Sequence, residues 1–230
     1  MKYNNIVVAK FIERVNRFIS KCELNNEIIT VHVKNTGRCK ELLVEGNTVY
    51  LEYFPNTTRK TAYDLISVNK NGRLINMDSQ VPNKVVYETL ISGRDILEIG
   101  SPLTHVKPET TYNNSRFDIY AESNDIKIFT EIKGVTLEKE NIALFPDAPT
   151  ERGIKHIHEL VDAKKDGYKT FIFFLVQMEN VTHFTPNYEM QKEFGDALKE
   201  AEAAGVKILC YDSIITEDSI TMNNPVKIIL

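Results

Sequence analysis

The sequence predicts two domains, an N-terminal all-β barrel followed by a C-terminal α/β domain, on the basis of three observations. Short β-rich runs separated by turn residues fill roughly the first 80 positions. In the second half, apolar runs typical of buried strands alternate with amphipathic helices, which is the order of a crossover unit. The chain has 230 residues, 42% of them hydrophobic, and this length permits two cores. Pro82 lies in a turn between the two patterns, so we place the domains at residues 1–82 and 83–230.

The first domain contains six runs that combine β-branched and aromatic residues with turn residues at their ends. We predict strands at residues 7–14, 18–24, 28–33, 48–54, 63–70 and 73–77. Asn25-Asn26 and Asn71-Gly72 lie between pairs of these runs, and Asn-Gly is a strong hairpin signal. About five short strands in so short a segment fit a small OB-like barrel of the oligonucleotide-binding type, which leaves no free sheet edge.

Basic residues are enriched in the first part of the chain. Residues 1–84 carry 13 Lys and Arg against 8 Asp and Glu, whereas the remaining residues carry 15 against 24. The overall net charge of -4 therefore hides a basic half, which favours contact with a polyanion such as DNA or, alternatively, RNA. The cations that we expect to bind this partner are Arg14, Arg17, Arg38, Arg59 and Lys60.

Two loops of the first domain have the composition of phosphate-binding loops. Residues 35–38 read Asn-Thr-Gly-Arg, in which the glycine lets backbone amides approach a phosphate beside an arginine. Residues 57–61 read Thr-Thr-Arg-Lys-Thr and mix hydroxyl donors with positive charge. Aromatic residues interleave with these cations, as base stacking requires: Phe11, Phe18, Tyr53, Phe54 and Tyr63. Alternatively, the aromatic side chains fill the barrel and the cations form a solvated surface.

The composition does not predict membrane insertion or export. There is no run of about 18 apolar residues, and the charged N-terminal segment does not resemble a signal peptide. The three cysteines, Cys22, Cys39 and Cys210, lack metal-ligand spacing, so we expect reduced thiols in a cytoplasmic protein.

Helices and strands alternate in the predicted second domain. Helices are predicted from residue 83 or 84 to 92, at 149–165 and at 189–204. Strands are predicted at 135–144, 170–177 and 206–211, and residues 95–113 are expected to be irregular. The run at 170–177 is continuously apolar, which is typical of a strand buried on both faces.

A predicted hairpin at residues 115–134 carries two carboxylates. Residues 123–125 are turn formers between two alternating runs. If the loop has two residues, Ser123 pairs with Ile126, and Asp118 then lies directly across from Glu131. Directly opposed side chains are roughly 5 Å apart, and two carboxylates held that close need a cation.

Alternation along the hairpin predicts which side chains share a face. We expect Asp118 on one face with Arg116 and Tyr120, and we expect Phe117 and Ile119 on the other. An alternative interpretation is a charge-paired, exposed sheet face in which Arg116 neutralises the carboxylates.

The grouping of Asp118, Glu131 and Lys133 predicts a divalent-metal centre for phosphodiester hydrolysis. Mg²⁺, or Mn²⁺ in its place, binds through few carboxylates and keeps several waters, so Asp118 and Glu131 suffice as side-chain ligands, with the Ile132 carbonyl as a further one. Lys133 shares the face of Glu131 and would orient the attacking water or neutralise developing charge. Two more side chains are candidates for this site: Glu88 and Gln177.

Five runs follow one another along nearly the whole chain: NTGR at 35–38, RKT at 59–61, SRFD at 115–118, EIKGVTL at 131–137 and FPDAPTERGIKH at 145–156. In order and spacing they resemble the sugar fermentation stimulation protein family. The resemblance implies an oligonucleotide-binding-type barrel, a domain like the PD-(D/E)xK nucleases and association with DNA. It implies that Asp118 is the first acidic position of the nuclease motif and that Glu131 and Lys133 form its Glu-x-Lys element. Phe117 stands where that motif has a proline.

We therefore expect a DNA-binding protein with a Mg²⁺-dependent phosphodiesterase (nuclease) centre. The alternative is a non-catalytic, DNA-binding transcriptional regulator of sugar-utilisation genes that has kept the nuclease scaffold. A third hypothesis, hydrolysis of a small phosphorylated metabolite, is less favoured because the sequence contains no glycine-rich phosphate loop.

Overall fold

The computed structural model describes residues 1–35, 37–55, 59–113 and 115–230. Thr36, Thr57 and Thr58 of the two predicted phosphate-binding loops therefore lie outside the described residues. The first domain contains β1 (Ile6–Arg14), β2 (Ile19–Leu24), β3 (Glu27–Val33), β4 (Thr48–Tyr53) and β5 (Tyr63–Lys70). They follow the order β3-β2-β1-β4-β5, and a parallel pairing of β3 with β5 closes them into the predicted barrel.

Two tight turns set the register of the barrel hairpins. Asn25 and Asn26 join β2 to β3, and both have positive φ (54° and 65°). Asn71 and Gly72 join β5 to β6 (Arg73–Asn76), again with positive φ (53° and 89°). Positive φ at both central positions matches the twist of the flanking strands, which is why asparagine and glycine are favoured there.

Helix α1 (Val81–Ile91) directly follows the barrel and begins slightly earlier than predicted. Pro82 occupies its first turn, where the missing N–H is harmless and the fixed φ suits a helix. The predicted domain boundary after Pro82 thus falls inside the first turn of α1.

The second domain is built around a six-stranded sheet with helices on both faces. Its strands are β7 (His105–Tyr112), β8 (Ser115–Ser123), β9 (Ile126–Val135), β12 (Lys169–Val176), β14 (Lys207–Ile215) and β15 (Ile220–Pro225). Three short strands form a side sheet: β10 (Leu137–Lys139), β11 (Ile142–Phe145) and β13 (His183–Pro186). Helices α2 (Glu151–Lys165) and α3 (Lys192–Ala203) complete the domain.

The central strand β12 confirms the predicted α/β architecture. It runs parallel to β9 on one side and to β14 on the other, with α2 and α3 in the connections. Phe171 and Phe173 pack in the cluster that contains the α1 side chains, whereas Ile172 and Phe174 pack in the cluster that contains those of α2 and α3. A strand covered on both faces needs a continuous apolar run, as its sequence has.

Strand β7 corrects the prediction that residues 95–113 are irregular throughout. It pairs with β8 at the end of the sheet order, and most of its side chains are exposed. Pro108 lies within it opposite Ile119. Proline lacks the N–H that a central strand needs, but an edge strand tolerates it.

Buried polar contacts join the two domains. The Gln177 side-chain amide donates to the Asn76 carbonyl (3.2 Å), to Asn76 Oδ1 (2.9 Å) and to the Asp78 carbonyl (3.1 Å). Lys34 of the barrel forms an ion pair with the fully buried Asp78 carboxylate. Gln177 thus donates across the domain interface, and its role is to fix the barrel against the end of β12. No helix in the described part of the chain is long and apolar enough to cross a membrane.

Candidate functional site

The β8–β9 hairpin has the register that the turn residues predict. Asn124 adopts positive φ (52°), Ser123 pairs with Ile126, and the ladder continues to Ile119 opposite Thr130. Asp118, the next residue along β8, comes to the level of Glu131 on β9. The backbone of a two-residue turn therefore brings together carboxylates that are 13 positions apart in the sequence.

Asp118 lies where the ladder between the two strands stops. Its Oδ2 accepts the backbone N–H of Ile132 (2.7 Å), and its Oδ1 accepts the side-chain amide of Asn83 on α1 (2.7 Å). The carboxylate thus fixes a backbone N–H of β9 and is itself held from two directions.

This interruption overturns the strict alternation predicted for β8. Phe117 and Tyr120 both lie against the Phe129 ring, with centroid distances of 5.0 and 5.3 Å, although an ideal strand would place them on opposite faces. Ile119 packs instead in the cluster on the α1 side. The alternation of side chains between the two faces shifts by one residue beside Asp118. It shifts because the Ile132 N–H donates to the Asp118 carboxylate and not to a backbone carbonyl of β8.

Glu131 is buried, with 2% of its surface exposed, and its two oxygens have different environments. Oε1 accepts a hydrogen bond from Lys133 Nζ (2.5 Å) and another from His156 Nδ1 (2.5 Å). Oε2 is buried and has no hydrogen-bond partner among the described residues. Burial by itself raises the pKa of Glu131, but the bonds from His156 and Lys133 outweigh it, so the pKa is lowered and the carboxylate is ionised at neutral pH.

Asp118 titrates differently from Glu131. Burial, and then the negative charge of Glu131, raise the pKa of Asp118 to about 6, although the Ile132 N–H, Lys133 and Asn83 oppose the rise. Two neighbouring carboxylates, one of which raises the pKa of the other, form a site that favours a cation.

The oxygen atoms of this site fit a small divalent cation. Glu131 Oε2 is a buried oxygen without a donor, and such groups are rare unless an ion or water completes them. In the described part of the chain, no group of three or more His, Cys, Asp or Glu side chains converges as an all-protein metal cage would require. Mg²⁺ is usually bound through one or two carboxylates with several waters retained, and Asp118 and Glu131 supply that number.

His156 belongs to the site, and the sequence did not identify it. Helix α2 begins at Thr150, whose hydroxyl accepts the Gly153 N–H (3.0 Å), and carries His156 to Glu131 in its second turn. Arg152 Nε donates to His156 Nε2 (3.4 Å). Because Nε2 accepts, the proton of the neutral ring lies on Nδ1 and is donated to Glu131. The signal was a stripe of polar side chains on α2 at spacings of three and four: Arg152, Lys155, His156 and Glu159.

Glu88, a candidate for an additional ligand, lies apart from this centre. Its carboxylate pairs with the Met1 amino group (3.0 Å) and with Lys84 (3.9 Å). Within the described ranges, no hydrogen bond or ion pair connects it to Asp118 or Glu131.

The predicted DNA-binding cations fall into two groups. Arg14 donates to the carbonyls of Arg17, Gly37 and Arg38, among others, at 2.6–2.7 Å, so it organises the loops around it. Arg59 pairs with the Asp64 carboxylate and lies over the Phe54 ring at 4.7 Å. These two side chains have structural partners, and a ligand would have to compete for them.

The second group comprises Arg17, Arg38 and Lys60. All three are exposed, and their head groups have no hydrogen bond or ion pair to the residues that the structure describes. Arg17 and Arg38 line a surface groove of about 340 Å³ that also contains Lys40 and Leu43. We call this feature the basic groove: Arg14, Asn16, Arg17, Gly37, Arg38, Lys40 and Leu43.

The basic groove adjoins the loop that leads into α2. A Cβ on Gly37 would lie 2.2 Å from Asp147 Oδ2, so a larger residue there would require the Asp147 side chain to move. The Arg38 backbone N–H also opposes the rise that burial causes in the pKa of Asp147. His156 is six positions after Thr150, which is about 9 Å along the helix. The first turns of α2 therefore connect the basic groove with the carboxylate pair.

Comparisons with known proteins match both domains. The family model described as "SfsA N-terminal OB domain" matches residues 12–77, and "Sugar fermentation stimulation protein RE domain" matches residues 80–219. The first match confirms that the barrel is of the oligonucleotide-binding type.

Similar proteins cover the whole chain. A sugar fermentation stimulation protein homolog from Clostridium beijerinckii is 52% identical over all of both chains. One from Desulfitobacterium hafniense is 54% identical over 96% of this chain and 94% of its own. A solved structure of Pyrococcus furiosus SfsA in complex with Ca²⁺ is 27% identical, with a TM-score of 0.87 over 100% of this chain and 98% of that one.

Proposed function

The chain belongs to the sugar fermentation stimulation protein family, and from this premise we propose that it is a DNA-binding protein with a Mg²⁺-dependent phosphodiesterase (nuclease) centre. Asp118, Glu131 and Lys133 form the centre, and the barrel binds the nucleic acid. The observation that carries the proposal is the buried Oε2 of Glu131, which has no hydrogen-bond partner among the described residues, beside the Asp118 carboxylate.

Asp118 and Glu131 would hold the cation. When bound, Mg²⁺ or Mn²⁺ supplies Lewis-acid stabilisation of the phosphoryl oxygens and lowers the pKa of a bound water. The Ca²⁺ complex of the Pyrococcus furiosus relative supports a hard cation with oxygen ligands in this fold.

Hydrogen bonds from three other residues orient the two carboxylates. His156 holds Oε1 of Glu131, which leaves Oε2 free for the cation. Asn83 and the Ile132 N–H fix both oxygens of Asp118 in orientation. Ligands held by such outer hydrogen bonds lose little freedom when they bind, so the site is organised before the cation arrives.

Lys133 provides positive charge at the point where phosphate charge would develop. Its Nζ lies 2.5 Å from Glu131 Oε1, and 16% of the side chain is exposed, so it is held yet reachable from solvent. An ammonium group in this position stabilises the added charge on a phosphoryl group under attack or orients the attacking water.

The exposed cations of the barrel would hold the substrate backbone. Arg17, Arg38 and Lys60 have no protein partners among the described residues, so phosphates need not displace any. Since α2 connects the basic groove to Glu131, a strand that lies in the groove can continue to the carboxylate pair.

Nicking of supercoiled plasmid in Mg²⁺ or Mn²⁺ tests the proposal. Wild type is expected to nick, whereas Glu131→Ala and Lys133→Ala are expected to lose nicking. Glu88→Ala is the matched control, because it removes a carboxylate outside the centre, and it should nick like wild type. Equal nicking by wild type and by Glu131→Ala would identify a contaminating nuclease and contradict the proposal.

A non-catalytic DNA-binding regulator of sugar-utilisation genes is the second candidate, and the basic groove favours it because binding there does not require the carboxylates. In this case affinity rests on phosphate contacts and falls steeply with salt. Arg38→Ala would weaken binding, and Glu131→Ala would not. This candidate is supported if the protein binds DNA with a steep salt dependence and no divalent cation elicits nicking.

A further inference from the structure

A half-exposed phenylalanine stands beside the basic groove, and the proposed function leaves it without a role. Phe18 has 51% of its surface exposed, and Val15 in the same β1–β2 turn has 52%. Isolated apolar residues on a surface are common. A large exposed aromatic ring in the same turn as a second exposed apolar side chain, next to cations that have no partner in the described part of the chain, is a more specific arrangement.

The backbone of Phe18 is held on both sides. Asn16 Oδ1 accepts the N–H groups of Phe18 (2.9 Å) and Ile19 (3.1 Å), and the Phe18 carbonyl accepts the Val33 N–H (2.8 Å). No other aromatic ring lies against Phe18 among the described residues. The ring is therefore presented to solvent from a fixed backbone, which lowers the entropy lost when a ligand stacks on it.

Arg14 connects this turn to the cations of the basic groove. Arg14 donates to the Arg17 carbonyl (2.7 Å) through one nitrogen and to the Arg38 carbonyl (2.7 Å) through the other. The backbones of Arg17 and Arg38 are therefore held close together, both residues line the basic groove, and Phe18 directly follows Arg17. In oligonucleotide-binding-type barrels, the loop between the first two strands is one of the two that flank the bound strand.

We propose that Phe18 stacks on an unpaired base of a single-stranded nucleic acid whose phosphates contact Arg17, Arg38 and Lys40. This inference rests on the proposed function and narrows its substrate class to single strands or single-stranded segments. In a duplex the base faces are covered by their neighbours, so a neutral ring gains nothing there. Every base has an exposed π-face in a single strand, which makes stacking tolerant of sequence.

Charge argues against a second copy of the chain on this surface. A two-fold contact would place the cations of one copy opposite those of the other, and like charges across an interface are unfavourable. A phosphate backbone complements the same three cations.

The test is fluorescence anisotropy with the full chain in EDTA, which prevents cleavage. The probes are a labelled single-stranded pyrimidine oligonucleotide, the same strand with abasic sites and a duplex of equal length. Phe18→Ala is expected to weaken single-strand binding roughly 5- to 150-fold, which corresponds to the usual loss per stacked base. The loss should disappear on the abasic strand and on the duplex.

Ile28→Ala is the matched control. Ile28 is 69% exposed and pairs with Glu23, five residues along β2 from Phe18 or about 16 Å. Like Phe18→Ala, Ile28→Ala removes an exposed apolar side chain, but it should leave the affinities for all three probes unchanged. Thermal unfolding of each variant verifies that the fold is retained.

The outcomes separate this inference from the proposed function. Equal single-strand affinity of wild type and Phe18→Ala, or an equal loss on the abasic strand, overturns the stacking role. Wild type that nicks plasmid while Phe18→Ala binds unchanged overturns this inference alone. If Phe18→Ala loses affinity only for strands that carry bases, and wild type does not nick plasmid, the stacking inference is supported and the nuclease proposal fails. Wild type that neither binds nor nicks overturns both. Dissociation of a dimer by Phe18→Ala would assign the ring to a protein interface and contradict the proposal.

Discussion

The basic groove carries its charge on exposed side chains, whereas the carboxylate pair carries its charge on buried ones. Arg17 and Arg38 are exposed and solvated, so their unpaired charge costs the fold little. Glu131 is buried, and an oxygen of its carboxylate has no partner among the described residues, a condition that is expensive in any protein interior. An exposed cation without a protein partner is therefore modest support for a binding role, whereas a buried carboxylate oxygen without a partner among the described residues, next to a second carboxylate, is better support for a bound cation.

The comparison separates binding from chemistry. If binding and chemistry are separate, substitutions at the carboxylates abolish cleavage without changing the affinity for DNA. Substitutions in the basic groove then weaken DNA binding without abolishing cleavage.

Glu131→Gln should nearly abolish nicking while DNA affinity in EDTA stays within about twofold of wild type. The substitution keeps the shape of the side chain but removes its charge, and removal of one group that stabilises transition-state charge typically costs about 10²- to 10³-fold or more. Plasmid nicking and anisotropy on the same preparation check both halves. A large loss of DNA affinity would show that the two regions are not separate.

His156→Ala should weaken Mn²⁺ binding about 10- to 100-fold, because outer hydrogen bonds orient a metal ligand. Calorimetric titration with Mn²⁺ measures the effect. His158→Ala is the control, since His158 is exposed on the same helix. Equal Mn²⁺ affinity in both variants would remove His156 from the site.

Mn²⁺ affinity should fall about tenfold between pH 7 and pH 5. Asp118, with its pKa raised to about 6, is mostly ionised at pH 7 and mostly protonated at pH 5, and a neutral carboxyl is a poor ligand. Glu131 stays ionised across this range because its pKa is lowered. Calorimetry at several pH values tests this, and an unchanged affinity would mean that Asp118 is not a ligand.

Arg17→Ala and Arg38→Ala should each weaken DNA binding several-fold and reduce the slope of log affinity against log salt by about one. Nicking at saturating DNA should be retained. Lys127→Ala removes an exposed lysine at the opposite end of β9 from Lys133 and serves as the control. An unchanged salt slope in both groove variants would remove the basic groove from the binding surface.

Local signals predicted much of this structure. The β2–β3, β5–β6 and β8–β9 hairpins follow from turn residues that adopt positive φ, and turn length then sets which residues pair. The register that brings Asp118 to Glu131 is of this kind. The apolar run of β12 likewise reports burial on both faces without reference to any partner.

Features that depend on distant partners escaped prediction. Arg14 looked like a phosphate ligand, but its donors bind carbonyls up to 24 residues away. The shift in alternation along β8 arises because Asp118 bonds Ile132, 14 positions further along the chain. His156 reaches Glu131 only once α2 has docked on the sheet, and helix periodicity cannot report which neighbour a polar stripe meets.

Crystals of the full chain soaked in Mn²⁺ show whether the carboxylate pair binds a cation, because anomalous scattering locates the ion independently of activity. We expect an anomalous peak about 2.1 Å from an oxygen of Asp118 and from Oε2 of Glu131, and no peak there in Glu131→Gln. Absence of a peak between these carboxylates at saturating Mn²⁺, or a peak that persists in Glu131→Gln, would contradict this expectation.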